Sequence, residues 1–280
     1  MPAALFEPVQ RFWMRHLQNA AALARLRVLS CLKTRNNRDI IGTGAGGDTT
    51  RQFDFVAEQT MVNYLRQYSS FTLISEEAGI QQIGTDPSGF VIMDPIDGST
   101  NVSHGISVAC IALAFARKAH FESIEVAVIQ DLFSRNVYHA MKGKGAWKNY
   151  QPIHAPVEDH LEPHLIGVDD EFPSLHYASE KNRPSESRIQ FTRHFGANAL
   201  ELCFVADGSI DGFIDLRKVF RGTDLAAPAL ILREAGAALI DETGKVLTGR
   251  CTNDEKYALV AAWNEQMAKR LLDLAHGTTS

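Results

Sequence analysis

Two aspartates three residues apart, Asp94 and Asp97, enclose Pro95-Ile96 and run directly into Gly98-Ser99-Thr100-Asn101. The apolar stretch at 90–93 predicts a buried strand that delivers Asp94 to its end. Pro95 and Gly98 then predict a tight turn that brings Asp97 round to the same point. Two close carboxylates oppose each other's ionisation unless a cation lies between them. Mg2+ suits this arrangement, because it takes six oxygen ligands at about 2.0–2.1 Å and retains waters. The Ile96 carbonyl, in mid-turn, supplies a further oxygen. Gly98, Ser99 and Thr100 are small and leave backbone N–H groups free, a setting that binds phosphate, above all at a helix N-terminus. Alone, the segment also fits an ordinary Asp/Gly turn closing a strand.

Three further acidic positions bear on that choice. Glu76-Glu77 follows the apolar stretch 71–74, so a carboxylate again stands at a strand end, although such a pair also fits a solvated edge. Asp224 follows Arg221-Gly222-Thr223 and opens an apolar helix, where Thr223 or Asp224 can serve as the N-cap. Asp54 has an ordinary role as a first-turn acid. It is the combination of all three with 94–100 that points to a metal site.

The elements that must position these groups can be read from periodicity. Trp13, Leu17, Ala20, Ala24 and Val28 form one stripe of a first helix. The arginines between Arg11 and Arg38, with no acid among them, resemble a transit peptide in composition, but Glu7 and the stripe favour a packed helix. Phe53, Val56, Ala57, Thr60, Met61, Tyr64 and Leu65 mark a second helix, with Asp54 and Glu58 beside its buried face. Strands are expected at 71–75, 90–93, 107–114, 124–129 and 136–141, the last running into the turn Gly143-Lys144-Gly145. A polar stretch at 154–163 reads as a joint. Beyond it come strands at 165–168 and 212–215, helices near 197–206 and 224–235, strands at 237–240 and 257–262, and a terminal helix. This alternation predicts α/β layering in two halves, 1–155 and 156–280.

Composition narrows the function classes. The chain has 280 residues and a formal net charge of −5, which disfavours a general nucleic-acid or anionic-membrane binder. Cys31, Cys110, Cys203 and Cys251 show no C-x-x-C pairing, so an intracellular, reducing setting is expected. No apolar run approaches the ~20 residues of a membrane span.

Taken in order, these segments resemble the inositol monophosphatase family of the lithium-sensitive, magnesium-dependent phosphatase superfamily. The resemblance is carried by Ser75-Glu76-Glu77, by 94–101, and by Thr223-Asp224-Leu225-Ala226-Ala227 leading to Glu234-Ala235-Gly236. Gly143-Lys144-Gly145-Ala146-Trp147 with Asn149, and the stretch 196–203, support it. The shorter loops and Asp215-Leu216-Arg217 look closer to the archaeal-type branch, whose members often accept both inositol monophosphate and fructose 1,6-bisphosphate.

The resemblance implies a layered α-β-α-β-α sandwich, an N-terminal α+β half carrying most ligands, and a C-terminal α/β half contributing Asp224. It implies two or three Mg2+ ions. Glu76, Asp94 and the Ile96 carbonyl would hold one; Asp94, Asp97 and Asp224 would hold another. Ser99 would contact Asp54 to orient the attacking water, and Gly98, Ser99 and Thr100 would bind phosphate. A small phosphorylated polyol or sugar as substrate, a homodimer and a cytoplasmic location also follow from the resemblance.

Departures from the family pattern lie around the leaving group. Thr223 replaces a common Trp, which would remove an aromatic wall, and Asn198 stands where a small apolar residue is usual. Asp215 is the nearest candidate for binding substrate hydroxyls. Arg217 and Arg221 fit either a second phosphate or surface charge. Gly42-Thr43-Gly44-Ala45-Gly46-Gly47 matches the dinucleotide pattern G-x-G-x-x-G, but lacks a good preceding strand and a following acid. It reads instead as a glycine loop able to close over the metals. His104 and His194 show no ligand spacing. A phosphatase for 3′-phosphoadenosine phosphates and a regulatory binding protein on the same fold are the competing readings.

Overall fold

The computed structural model describes residues 9–34, 39–47, 49–157, 163–168 and 189–277. Two sheets alternate with three layers of helices. The first helix, α1 (Val9–Cys31), and the second, α2 (Gln52–Leu65), lie together, joined through a small hairpin of β1 (Ile40–Thr43) and β2 (Thr49–Arg51). They cover one face of an eight-stranded sheet made of β3 (Phe71–Ser75), β4 (Gly79–Ile83), β5 (Phe90–Asp97), β6 (Cys110–Ala116), β7 (Ile124–Asp131), β8 (Val137–Met141), β9 (Gly145–Lys148) and β10 (Gln151–Ile153). The strand order is β10-β9-β8-β7-β6-β5-β3-β4, antiparallel except where β3 runs parallel to β5. A short helix, α3 (Ser99–His104), follows β5.

The second sheet contains β11 (Leu165–Val168), β12 (Phe191–Arg193), β13 (Gly212–Arg221), β14 (Ala238–Asp241) and β15 (Lys256–Ala262), in the order β12-β11-β13-β15-β14. Helices α4 (Asn198–Ala206) and α5 (Gly222–Ala235) fill the space between the sheets, and α6 (Glu265–His276) covers the far side. The layered α-β-α-β-α sandwich expected from sequence is therefore the observed architecture.

Side-chain size explains how the layers fit. Successive residues of a strand face opposite sides of the sheet. In β6, Ile111, Leu113 and Phe115 face α1 and α2, whereas Cys110, Ala112, Ala114 and Ala116 face α4 and α5. The small face lets the central helices approach closely, and the large face fills the groove between the outer ones. One apolar cluster runs from Ile92 and Ala112 through α5 to Phe213 and Leu259, so the two sheets share a core.

Several boundaries differ from expectation. The strand placed at 107–114 occupies 110–116, β13 runs on to Arg221, and α5 begins at Gly222. The short strands β1, β2, β4, β9, β10 and β12 carry too little apolar alternation to be read from sequence. Asp54 and Glu58 lie within the buried face of α2 rather than beside it. Residues 158–162 of the polar joint lie outside the described residues.

The stripe that located α1 is fully buried, and Trp13 anchors it. Its ring stacks on Phe115 with centroids 4.3 Å apart and meets Phe71 edge-on. Trp13→Ala is expected to destabilise the fold by about 3–5 kcal/mol, read as a lower urea midpoint with unchanged slope.

Candidate active site

The acidic groups meet where β3 and β5 end. Parallel pairing sets Ser75 beside Met93, and Glu76 N–H donates to the Met93 carbonyl at 3.2 Å, so Glu76 emerges next to Asp94. The third carboxylate comes from α5. Ligand oxygens of Glu76, Asp94 and Asp224 all lie within 4.8 Å of one another. Asp94 Oδ1 is buried and has no hydrogen-bond partner among the described residues. A buried carboxylate oxygen without a partner costs free energy, and a hard cation would satisfy it. The donor set, all oxygen, fits Mg2+.

Asp97 arrives by a different route from the tight turn expected. β5 continues through Asp94, Pro95, Ile96 and Asp97 as a strand. Asp94 pairs with Ala112 and Asp97 with Cys110, so three steps on β5 match two on β6. Residues three apart on a regular strand face opposite sides; this bulge adds the one residue that turns both aspartates to the same side. Pro95, which has no N–H to place in the ladder, is tolerated at such a position. Asp97 accepts the Ala199 N–H at 2.7 Å, at the start of α4, and stands outside the three-carboxylate cluster.

Gly98 then turns the chain. Its φ of 88° is left-handed, and a Cβ there would lie 2.9 Å from the Val108 carbonyl oxygen. Only glycine accepts both conditions. Gly98, Ser99 and Thr100 line a cleft of about 610 Å3 together with Glu76, Glu77, Asp94, Ile96, Asp97, Asn198, Arg217, Arg221 and Asp224. Asn101 donates to the Phe195 carbonyl at 2.6 Å and to the Val108 carbonyl at 3.0 Å, which ties the approach to α4 onto the first sheet. That tie brings Asn198 to the cleft.

Two arginines and two aspartates share a device that sequence reading missed. Arg51 N–H donates to Asp54 at 2.8 Å, and Arg221 N–H donates to Asp224 at 2.9 Å. Each pair is R-x-x-D at a helix start, where a carboxylate at the third position is favoured by the free N–H groups. The repeated spacing was the available signal. Arg51 and Thr49 both line the cleft.

Arg221 also pairs with Glu76 at 2.6 Å and donates to the Gly46 carbonyl at 2.8 Å. The glycine loop is docked here, with Ala45 and Gly46 N–H groups on the Glu77 and Glu76 carbonyls. A Cβ on Gly44 would fall 2.4 Å from Glu77 Oε2, so the glycines permit close approach to the acidic pair. Glu77 accepts the Thr50 hydroxyl.

Asp215 is placed differently from the sequence expectation. It is fully buried beneath Arg217, which donates through its backbone N–H at 2.9 Å and through its guanidinium. Arg217, half-exposed, is the member of the pair that lines the cleft. Among the described residues, no hydrogen bond links Asp54 to Ser99; Asp54 is buried and accepts the Arg51 N–H, while Ser99 lines the cleft. His104 turns back to the Thr100 carbonyl, and His194 is exposed.

Residues 10–278 match the sequence profile of the inositol monophosphatase family. The chain belongs to this family. It is 30% identical, over 94% of its own length and 99% of the relative's, to a fructose-1,6-bisphosphatase/inositol-1-monophosphatase of Methanocaldococcus jannaschii. It is 28% identical, over 85% of its length and 44% of the relative's, to a bifunctional NADP phosphatase/NAD kinase of Methanococcus maripaludis. A crystal structure of an inositol monophosphatase–fructose 1,6-bisphosphatase superposes with a TM-score of 0.81 at 26% identity, covering 94% of this chain and 99% of that one. The chain is thus a phosphatase of this family, with a clustered carboxylate site suited to a metal ion. None of its described helices is long and apolar enough to cross a membrane.

The electrostatics of this phosphatase match a site built for cations. Burial, then the charge of Asp224, pushes Glu76 up to about 8. Burial raises Asp97 to about 7, and raises Asp94 and Asp224 as well. Burial lifts Asp54 to about 8. A carboxyl whose pKa is higher folded than unfolded makes the native state hold extra protons. That stabilisation is full below its ordinary value and is lost as pH rises through the folded value. In EDTA the melting temperature should therefore fall between about pH 5 and about pH 8, and saturating Mg2+ should remove most of the fall. A metal-free melting temperature that rises across this range would contradict the burial of these groups.

Proposed function

We propose that this phosphatase hydrolyses a small phosphorylated polyol or sugar, inositol monophosphate or fructose 1,6-bisphosphate or both, with two or three Mg2+ ions. The observation that carries the reading is the convergence of Glu76, Asp94 and Asp224, from three separate elements, on the floor of a cleft rimmed by Gly98–Thr100 and Arg217. The names of the archaeal relatives support the substrate class.

Glu76, Asp94 and the Ile96 carbonyl would hold one ion, and Asp94, Asp97 and Asp224 another. When bound, the ions would neutralise the phosphoryl oxygens and lower the pKa of the attacking water. Backbone N–H groups of Gly98 and Ser99, at the start of α3 where they have no intrahelical acceptor, would hold the phosphoryl group. Ser99 and Asp54 orient the water, Ser99 from the cleft wall. Asn198 and Arg217 face the alcohol. Of the two arginines weighed for a second phosphate, Arg217 is the better placed, since its side chain is 37% exposed whereas that of Arg221 is 11% exposed between Glu76 and Gly46. Lithium inhibition, a homodimer and a cytoplasmic setting accompany the proposal through the same family likeness.

A nucleotide substrate is the second reading, favoured by the NADP phosphatase relative. Against it, no aromatic side chain lines the cleft among the described residues, so a base would find no ring to stack on.

Phosphate release from a panel of phosphate esters, with and without Mg2+, tests these readings; nucleotide-selective turnover would reverse their order. Asp94→Asn should lower turnover more than about a hundredfold, beyond the usual loss from an outer-shell change, while leaving metal-free stability intact. Undiminished turnover in that variant would sink the assignment. Arg217→Ala should raise KM for a bisphosphate about tenfold and for a monophosphate far less, because one charge-assisted contact is lost.

A further inference from the structure

Residues 249–253 lie outside the ligand set yet reach it from behind. On one side they follow the first half of the chain, with Cys251 N–H on the Ala119 carbonyl at 2.9 Å and Phe121 N–H on the Gly249 carbonyl at 3.1 Å. On the other they press against the start of α5, where Gly222 N–H donates to the Thr252 carbonyl at 3.0 Å. A Cβ at Gly222 would fall 2.3 Å from the Arg250 carbonyl oxygen and 2.5 Å from the Thr252 nitrogen, so only glycine permits this approach.

Asn253 ends the segment, and both ends of its amide are spent next to acidic ligands. Its Nδ2 donates to the Ser75 carbonyl at 2.7 Å, one residue before Glu76. Its Oδ1 accepts from the Thr223 hydroxyl at 2.9 Å, one residue before Asp224. The same hydroxyl lies 3.1 Å from Asp224 Oδ1. Thr223 is only 1% exposed, so water does not compete for it. The position expected to lack an aromatic wall is thus a buried hydroxyl inside a polar bridge. From Ser75 the bridge continues, its hydroxyl donating to Glu58, which also accepts the Ala78 N–H at 3.1 Å.

We propose that Thr223 and Asn253 are positioning residues that hold Asp224 at its working distance from Glu76, and so set the affinity of the cluster for a divalent cation. The inference rests on the metal reading above. Glu76 follows β3 of the first sheet, Asp224 stands in the first turn of α5, and the two carboxylates repel, so the elements that carry them must be tied. Mg2+ tolerates little departure from octahedral geometry. Beside the direct Arg221 contacts to Glu76 and Asp224, the Asn253 link joins the residues just before each ligand, and the shared Thr223 proton also orients the Asp224 carboxylate. Groups of this kind behind metal ligands are commonly worth 10–100-fold in metal affinity.

Calorimetric titration of the full-length protein with Mg2+ alone, without substrate, tests the bridge. Thr223→Val and Asn253→Ala should each weaken Mg2+ binding about tenfold. The double variant should lose little more than the worse single one, because both break one link. Thr223→Ser, which keeps the donor, should restore most of the affinity. In EDTA the variants should melt close to the parent and separate from it when Mg2+ is added. Parent-like Mg2+ affinity in both single variants overturns the bridge, as does an equal drop in melting temperature with and without Mg2+. A parent that binds no Mg2+ overturns the metal reading instead. Should Thr223→Val not fold, Asn253→Ala against Thr223→Ser decides the same question.

Discussion

Glu76, Asp94 and Asp224 bring like charges to one buried point, and the surrounding structure must hold them there against their mutual repulsion. Burial first, and that repulsion second, raise the pKa values of Glu76 and Asp94. Arg221 offsets part of it by pairing with Glu76, and its backbone N–H, at the start of α5, offsets part of it at Asp224. Asp94 Oδ1 keeps no partner among the described residues, an arrangement that a cation would satisfy.

The layers can be understood from that requirement. Two parallel neighbours, β3 and β5, end at the same sheet edge and place Glu76 beside Asp94. A bulge turns Asp97 to the same side. The alanine-rich face of β6 lets α4 and α5 approach closely enough for α5 to aim Asp224 at that edge and for α4 to receive Asp97 at its first turn. The glycine loop, Gly98 and Gly222 each allow a backbone approach that a side chain would block. The chemistry is thus concentrated at one edge, while the large apolar side chains sit in the layers behind it.

Much of this was visible in sequence where a local rule applied. The stripe on α1, the face of α2 and the apolar runs leading to Glu76 and Asp94 depend on periodicity, and periodicity is a property of neighbouring residues. The family likeness then supplied the grouping of Asp54, Glu76, Asp94 and Asp224. The bulge was less visible, because Pro95 and Gly98 suit a turn as well as an interrupted strand, and pairing with β6 made the choice. Asp215 and Arg217 were legible as a charged pair. Which of them faces the cleft depends on the β13 backbone, which buries the acid and leaves the arginine half-exposed.

By itself, the sequence determined the layered class of the fold, the acidic residues able to take a metal ion and the small residues able to receive a phosphate, since these follow from residue type and short spacing. Tertiary structure alone decided that Arg221 reaches Glu76, that the glycine loop sits against the acidic pair, and that Asn253 joins Ser75 to Thr223 across 178 and 30 residues of chain. The physical reason is distance along the chain. A hydrogen bond between remote residues exists only once the sheets have packed, and no local pattern encodes which loops that packing brings together.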